Sequence, residues 1–262
     1  MLRAFAGGIF IALCAGMLGT TIVLRRQSMI GDGLSHVGFG ALAVSVFLNA
    51  APLAVALPLV SLAAFALLKM GEHGKTPSDA MLAMLSTTSL ALGVVVLSFS
   101  AKKNVDMNNY LFGSILALDK ADTLLSTVLS LAVIIAFVFC YNKIFALTFD
   151  PEFAKASGVN VSFYNAVLAV LISIAIVLGM RIMGVLLISS LLILPSLSAI
   201  RLFKNFKSLT IAASIFAAFG LIVGLFASFF LSIPTGACIV LVNFLVFLLC
   251  FTIGKRKTIF LN

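Results

Sequence analysis

Charged side chains are scarce in this sequence, at 10% of 262 residues, and tryptophan is absent. Soluble domains contain about 25% charged and about 45–50% apolar residues, whereas 63% of this chain is hydrophobic. A water-soluble surface cannot be built from such a composition. Because a membrane-spanning helix needs about 20 mainly apolar residues, the length allows about eight to ten spans. The sequence therefore predicts one all-α, polytopic membrane helical bundle over residues 1–262, with no sizeable soluble domain.

Motifs for covalent chemistry are also missing. The four cysteines lie inside apolar runs without CxxC spacing, which excludes a disulfide framework and a zinc knuckle. The sequence Gly-Lys-Thr at residues 74–76 ends like a phosphate-binding loop, but Lys69 occupies the position that needs the first glycine. HExxH and GxSxG sequences are absent as well. The chain is predicted not to be an enzyme and not to bind nucleotide itself.

Basic residues outnumber acidic ones, giving a formal net charge of +9. They form short clusters between apolar runs and no basic stripe with interleaved aromatics, so no nucleic-acid partner is expected. Loops near residues 25, 72, 150 and 204 and the C-terminus hold 12 of the 17 Lys and Arg residues. Since basic residues concentrate in cytoplasmic loops, the C-terminus is predicted to be cytoplasmic and the N-terminus outside.

Nine apolar runs are separated by polar or Gly/Pro-containing breaks. They lie near residues 4–24, 35–50, 52–70, 80–100, 122–143, 164–180, 183–200, 208–231 and 235–254. The break between the second and third runs rests on residues 49–52 alone, so eight spans remain possible if that pair forms one broken helix. The expected count is about nine transmembrane helices.

Two ionisable residues lie at the start of the second run, in Gly-Asp-Gly-Leu-Ser-His at residues 31–36. On a helix, Asp32 and His36 are four positions apart and share a face. An imidazole and a carboxylate suit zinc, manganese and ferrous iron, and ionisable residues near membrane segments indicate function. The alternative is a helix N-terminus capped by Asp32 or Ser35, with His36 hydrogen-bonded to a neighbour.

A second polar motif occupies about residues 148–160. Pro151 follows Asp150, Glu152 falls in the first turn and Gly158 comes at the end, which predicts a short capped helix on the cytoplasmic side. Ala154 lies inside this helix. Such a helix suits docking of a soluble partner, and the alternative is a structured turn without a partner.

Several motifs together resemble the permease subunits of ATP-binding cassette importers for zinc, manganese and iron, the ABC-3 family that includes the zinc-uptake permease. The residues that carry the resemblance are Gly-Asp-Gly-Leu-Ser-His at 31–36, Tyr-Leu-Phe-Gly-Ser at 110–114, Phe-Asp-Pro-Glu-Phe-Ala at 149–154 with Gly158, and the stretch from Gly184 through Pro195 to Ala199. The sequence departs from the family at residues 37–40, where members often carry Leu-Pro-Gly after the histidine. The match extends over nearly the whole chain.

The resemblance implies a homodimeric permease in the bacterial inner membrane, with one translocation path at the dimer interface. Its implied partners are an ATPase subunit, which binds the ATP, and an extracytoplasmic metal-binding protein. The substrate is a divalent metal ion, zinc first, with manganese or ferrous iron possible, and no cofactor is bound permanently. Asp32 and His36 become candidates for the metal path, and Asp150, Pro151, Glu152, Ala154 and Gly158 become the ATPase-coupling segment. A secondary metal transporter or channel, not driven by ATP, is the alternative.

Overall fold

The computed structural model describes residues 2–71, 78–99, 120–231 and 233–259. These residues form helices and no strand, as the sequence predicts. Residues 74–76 and the outer segment at 110–114 lie outside them. The helices are α1 (Leu2–Leu24), α2 (Ile30–Leu48), α3 (Pro52–Gly71), α4 (Ser78–Phe99), α5 (Lys120–Phe139), α6 (Tyr141–Phe149), α7 (Pro151–Ala156), α8 (Val161–Met183), α9 (Val185–Leu202), α10 (Phe206–Leu231) and α11 (Thr235–Ile259).

Seven helices in the described part of the chain are long and apolar enough to cross a membrane: α1, α2, α3, α4, α8, α10 and α11. The predicted span at residues 122–143 is not one straight helix, because α5 and α6 meet at a bend of 70°. Counting that bent pair as one span gives eight. The apolar part of α9, Leu187–Leu202, is shorter. The count of nine and the orientation of the termini stay predictions.

The second and third runs form two separate helices rather than one broken helix. Asn49 ends α2 in the left-handed conformation, with φ 53°, and its N–H donates to the carbonyl of Val46. The chain then reverses within three residues and α3 packs back against α2, so that Gly38 lies beside Val60. The structure also begins α2 at Ile30, earlier than the apolar run, which places residues 31–36 inside a helix.

Helix α1 lies at the centre of the bundle, where it packs against α5, α8, α9 and α10. Small side chains permit this close packing: Gly16 lies directly against the backbone of Ala213 and Ser214 on α10. The hydroxyl oxygens of Thr20 and Thr210 are 3.3 Å apart across the same contact. By contrast, α4 and α11 expose many large apolar side chains, as helices in contact with lipid do.

Candidate metal path and coupling segment

The backbone places Asp32 in the third position of α2. Met29 precedes the helix and makes no side-chain capping bond, so neither Asp32 nor Ser35 caps this N-terminus. The hydroxyl of Ser35 donates to the carbonyl of Asp32 at 2.7 Å instead. The predicted alternative of a capped helix start is therefore not the arrangement found. The carboxylate of Asp32 lies in the first turn of α2, where the positive end of the helix dipole stabilises a negative charge.

Asp32 and His36 share one face of α2, as their spacing predicts. His36 Nε2 lies 3.7 Å from Asp32 Oδ2, and the two side chains are 22% and 43% exposed. Two ligands about 2.1 Å from a tetrahedral ion are about 3.4 Å apart, so a small side-chain movement lets both contact one cation. The other ring nitrogen, Nδ1, is buried, and no group in the described part of the chain forms a hydrogen bond with it. The predicted hydrogen bond from His36 to a neighbour is therefore missing at that atom.

The described residues of one chain supply only part of a coordination shell. Among the described residues, no three His, Cys, Asp or Glu side chains come together in a group that could hold a metal ion. The carboxylates of Asp150 and Glu152 thus do not join Asp32 and His36. Two protein ligands hold a divalent ion weakly, which favours passage over storage.

Helix α4 lines the same side of α2 as His36. Gly33, His36 and Gly40 follow one another at three- and four-residue spacing and lie on one side of the helix. A Cβ added at Gly33 would lie 3.3 Å from Ser86 Oγ, and one added at Gly40 would lie 2.8 Å from the carbonyl oxygen of Ser89. Sequence reasoning missed these two serines. The available signal was the run Ser-Thr-Thr-Ser at 86–89, four hydroxyls inside an apolar span.

The second motif forms the short helix α7, with the capping chemistry that its sequence predicts. Asp150 is the N-cap, and its Oδ1 accepts a hydrogen bond from the N–H of Phe153 at 2.9 Å. Pro151 occupies the first turn, where its missing N–H leaves no bond unmade. Glu152 is exposed in the same turn, near the positive end of the helix.

The C-terminal end of α7 depends on a glycine. Gly158 has φ 81°, a conformation that side chains with a Cβ rarely adopt. Its N–H donates to the carbonyl of Lys155 at 3.1 Å, and the N–H of Val159 donates to that of Ala154 at 3.0 Å. Ala154 is fully buried and fixes the helix to the bundle, whereas Phe153 is 66% exposed on the outer side. The exposed aromatic ring is a candidate partner contact that the sequence alone did not single out.

A family model and two relatives each match nearly the whole chain. The model of a family described as the ABC 3 transport family matches residues 1–254. The high-affinity zinc uptake system membrane protein ZnuB of Buchnera aphidicola is 34% identical over 244 residues, or 92% of this chain and 93% of that protein. The manganese transport system membrane protein MntC of Listeria monocytogenes is 27% identical over 261 residues, or 97% of this chain and 91% of that protein.

A solved structure matches the fold at full length. PsaBC from Streptococcus pneumoniae in complex with Fab contains a chain that matches 100% of this chain and 95% of its own length, with a TM-score of 0.89 and 29% sequence identity. The overall arrangement of the helices is therefore similar to that of a solved structure along the whole chain.

Proposed function

The chain belongs to the ABC 3 transport family, and from that premise we propose that it is the membrane-spanning permease subunit of an ATP-driven importer for zinc. It is a multi-pass protein of the bacterial inner membrane. The observation that carries the metal assignment is the Asp32–His36 pair, which presents a carboxylate oxygen and the imidazole Nε2 on one helix face, 3.7 Å apart. An ATPase subunit supplies the energy and an extracytoplasmic protein delivers the metal.

Two copies of the chain supply more ligands than the described residues of one copy bring together. A homodimer with its path at the subunit interface brings two imidazoles and two carboxylates together, and four nitrogen and oxygen ligands in tetrahedral geometry suit zinc. Each copy alone holds the ion weakly enough to release it. Residues Asp32 and His36 thus serve as a transient site on the path rather than a storage site.

Manganese is the second candidate substrate, and the similarity to the manganese transport protein of Listeria supports it. Carboxylate oxygens suit manganese and imidazole nitrogen suits zinc and ferrous iron, so this pair accepts all three ions. The delivering protein then contributes much of the selectivity.

Reconstitution in lipid vesicles tests the whole proposal. The permease, its ATPase and the metal-binding protein are assembled, and uptake of radioactive zinc and manganese is measured with and without ATP. We expect ATP-dependent zinc uptake that excess manganese inhibits less than excess unlabelled zinc. Uptake that proceeds without the ATPase would instead support a secondary transporter or a channel, and stronger competition by manganese would make manganese the substrate.

The ATPase docks, in this proposal, on the coupling segment, which we define as residues 150–158. The segment combines an exposed acid, Glu152, and an exposed ring, Phe153, on a helix fixed by the buried Ala154. Substituting Glu152→Lys should abolish transport while the protein still inserts, because reversed charge disrupts a complementary interface. Asn142→Lys, which adds a cation at an exposed position of α6, is the control. Unchanged co-purification with the ATPase and unchanged uptake in Glu152→Lys would show that the segment is only structural.

A further inference from the structure

The link between α1 and α2 has a fixed shape that directs one arginine inward. The N–H of Arg26 donates to the carbonyl of Val23 at 3.0 Å, and the N–H of Gln27 donates to that of Ile22 at 3.0 Å. Arg26 has φ 57°, so these two bonds form the helix ending in which a left-handed residue follows the last helical turn. Arg25 precedes this residue and is half-buried. Its backbone is thus held by α1 while its side chain extends away from that helix.

The guanidinium of Arg25 joins two other helices. Its Nη2 donates to Asn165 Oδ1 on α8 at 3.0 Å and lies 3.4 Å from the carbonyl oxygen of Leu147 on α6. Leu147 lies in the last turn of α6, where carbonyl groups have no partner within the helix. The arginine supplies a donor to one of these carbonyls. Leu147 and Asn165 are each only 1% exposed, so water competes little for these bonds.

These contacts connect both proposed functional regions. Helix α6 ends directly before Asp150, and α8 begins shortly after Gly158, so Arg25 holds the two helices that flank the coupling segment. On the other side, the link that carries Arg25 leads within five residues to the start of α2, the helix that carries Asp32 and His36. A cavity of about 520 Å³ lies between the link and the segment, with Gln27 and Glu152 among its lining residues. The link and the segment therefore have space in which to shift.

We propose that Arg25 is a positioning residue for coupling. When the ATPase moves the coupling segment, the hydrogen bonds of Arg25 make the α1–α2 link move with it. The movement then reaches Asp32 and His36 on α2. This inference rests on the proposed function of the chain as a permease. A guanidinium suits the role because its planar group holds two acceptors at once and stays charged. Networks of hydrogen bonds can carry coupling between distant sites when they have two discrete arrangements that both sites bias.

The test measures ATP hydrolysed per zinc ion transported, in vesicles that contain the permease, the ATPase and the metal-binding protein. Arg25→Met keeps the length of the side chain but removes its donors, and Asn165→Leu removes the acceptor at nearly constant volume. We expect both to raise the ATP-to-zinc ratio at least about fivefold, with co-purification of the ATPase unchanged. Arg25→Lys should restore part of the coupling. Lys143→Met, which removes an exposed cation from α6, should keep the wild-type ratio.

An unchanged ratio in folded Arg25→Met overturns the inference, and a fall in uptake at constant ratio does so too, since that pattern indicates a purely structural arginine. If Arg25→Met does not insert, the ratio in Asn165→Leu and Arg25→Lys decides. Loss of insertion in all three variants would assign Arg25 to folding alone. Failure of the proposed function is a separate result, because the wild-type protein itself would then show no ATP-dependent zinc uptake.

Discussion

Asp32 and Asp150 are two carboxylates near the start of a helix, yet the backbone places them in contact with different groups. Asp150 immediately precedes α7 and uses Oδ1 to accept the N–H of Phe153 at 2.9 Å. Asp32 lies two positions inside α2, makes no capping bond, and faces the imidazole of His36 at 3.7 Å. A cap stabilises local structure, whereas an uncommitted carboxylate beside an imidazole can bind a cation. The comparison shows that the position of the helix start decides which groups a carboxylate contacts.

The largest expected effect comes from removing the imidazole of His36, the group that Asp32 faces. His36→Ala should lower zinc uptake per folded dimer about 100-fold, because a missing ligand leaves the carboxylate without its partner. Dimer assembly and basal ATPase activity should be largely intact. Ser35→Ala, which removes only a bond to the local backbone, is the control. Normal uptake per dimer together with lower thermal stability in His36→Ala would make the histidine a packing residue.

The same substitution at both carboxylates tests the comparison most directly. Asp32→Asn removes the negative charge that attracts the cation and should lower uptake about tenfold. Asp150→Asn should change uptake by less than about twofold, because asparagine caps a helix as well as aspartate does. Both proteins are compared by uptake per dimer and by thermal unfolding. Equal losses at the two positions would show that the two carboxylates do not differ as proposed.

A smaller effect is expected at the C-terminal end of the coupling segment. Gly158→Val places a branched side chain at φ 81°, at a cost of about 1–3 kcal/mol, and should reduce uptake several-fold by displacing α7. Gly158→Asn should be milder, because asparagine adopts this conformation more readily. Apart from the two neighbouring residues, no atom in the described part of the chain lies within 4 Å of an added Cβ there, so the substitution tests the backbone conformation. Equal activity of the valine and asparagine variants would argue against a fixed shape for this segment.

The smallest effect is expected from loss of the cap itself. Asp150→Ala removes the acceptor for the N–H of Phe153 and should destabilise α7 by about 1 kcal/mol. Faster hydrogen exchange at residues 152–156 measures this directly, while exchange in α2 serves as the internal reference. Exchange that stays at the wild-type rate in α7 would mean that packing of Ala154, rather than the cap, holds the helix.

Composition and local sequence pattern determined the fold class of this protein and the local structure of its two polar motifs. The apolar content predicts an all-helical membrane bundle, and the short-range chemistry of Asp150, Pro151 and Gly158 predicts α7 with its cap and its glycine ending. The spacing of Asp32 and His36 predicts their shared face. Each of these inferences depends on residues at most a few positions apart, and the order of the motifs also indicates the family.

The tertiary structure decided what depends on residues far apart in the sequence. No glycine or proline marks the 70° bend at Cys140. Past the bend, Tyr141, Phe145 and Phe149 of α6 all pack on one ring of α10, Phe206, with centroids 5.4 to 6.0 Å away. The hydropathy pattern also predicted the start of α2 too late. The polar residues at 31–36 lower the local average hydropathy, although the backbone there is helical. Arg25 reaches acceptors 122 and 140 positions along the chain, and only the packing of α1 against α6 and α8 brings these groups within hydrogen-bonding distance.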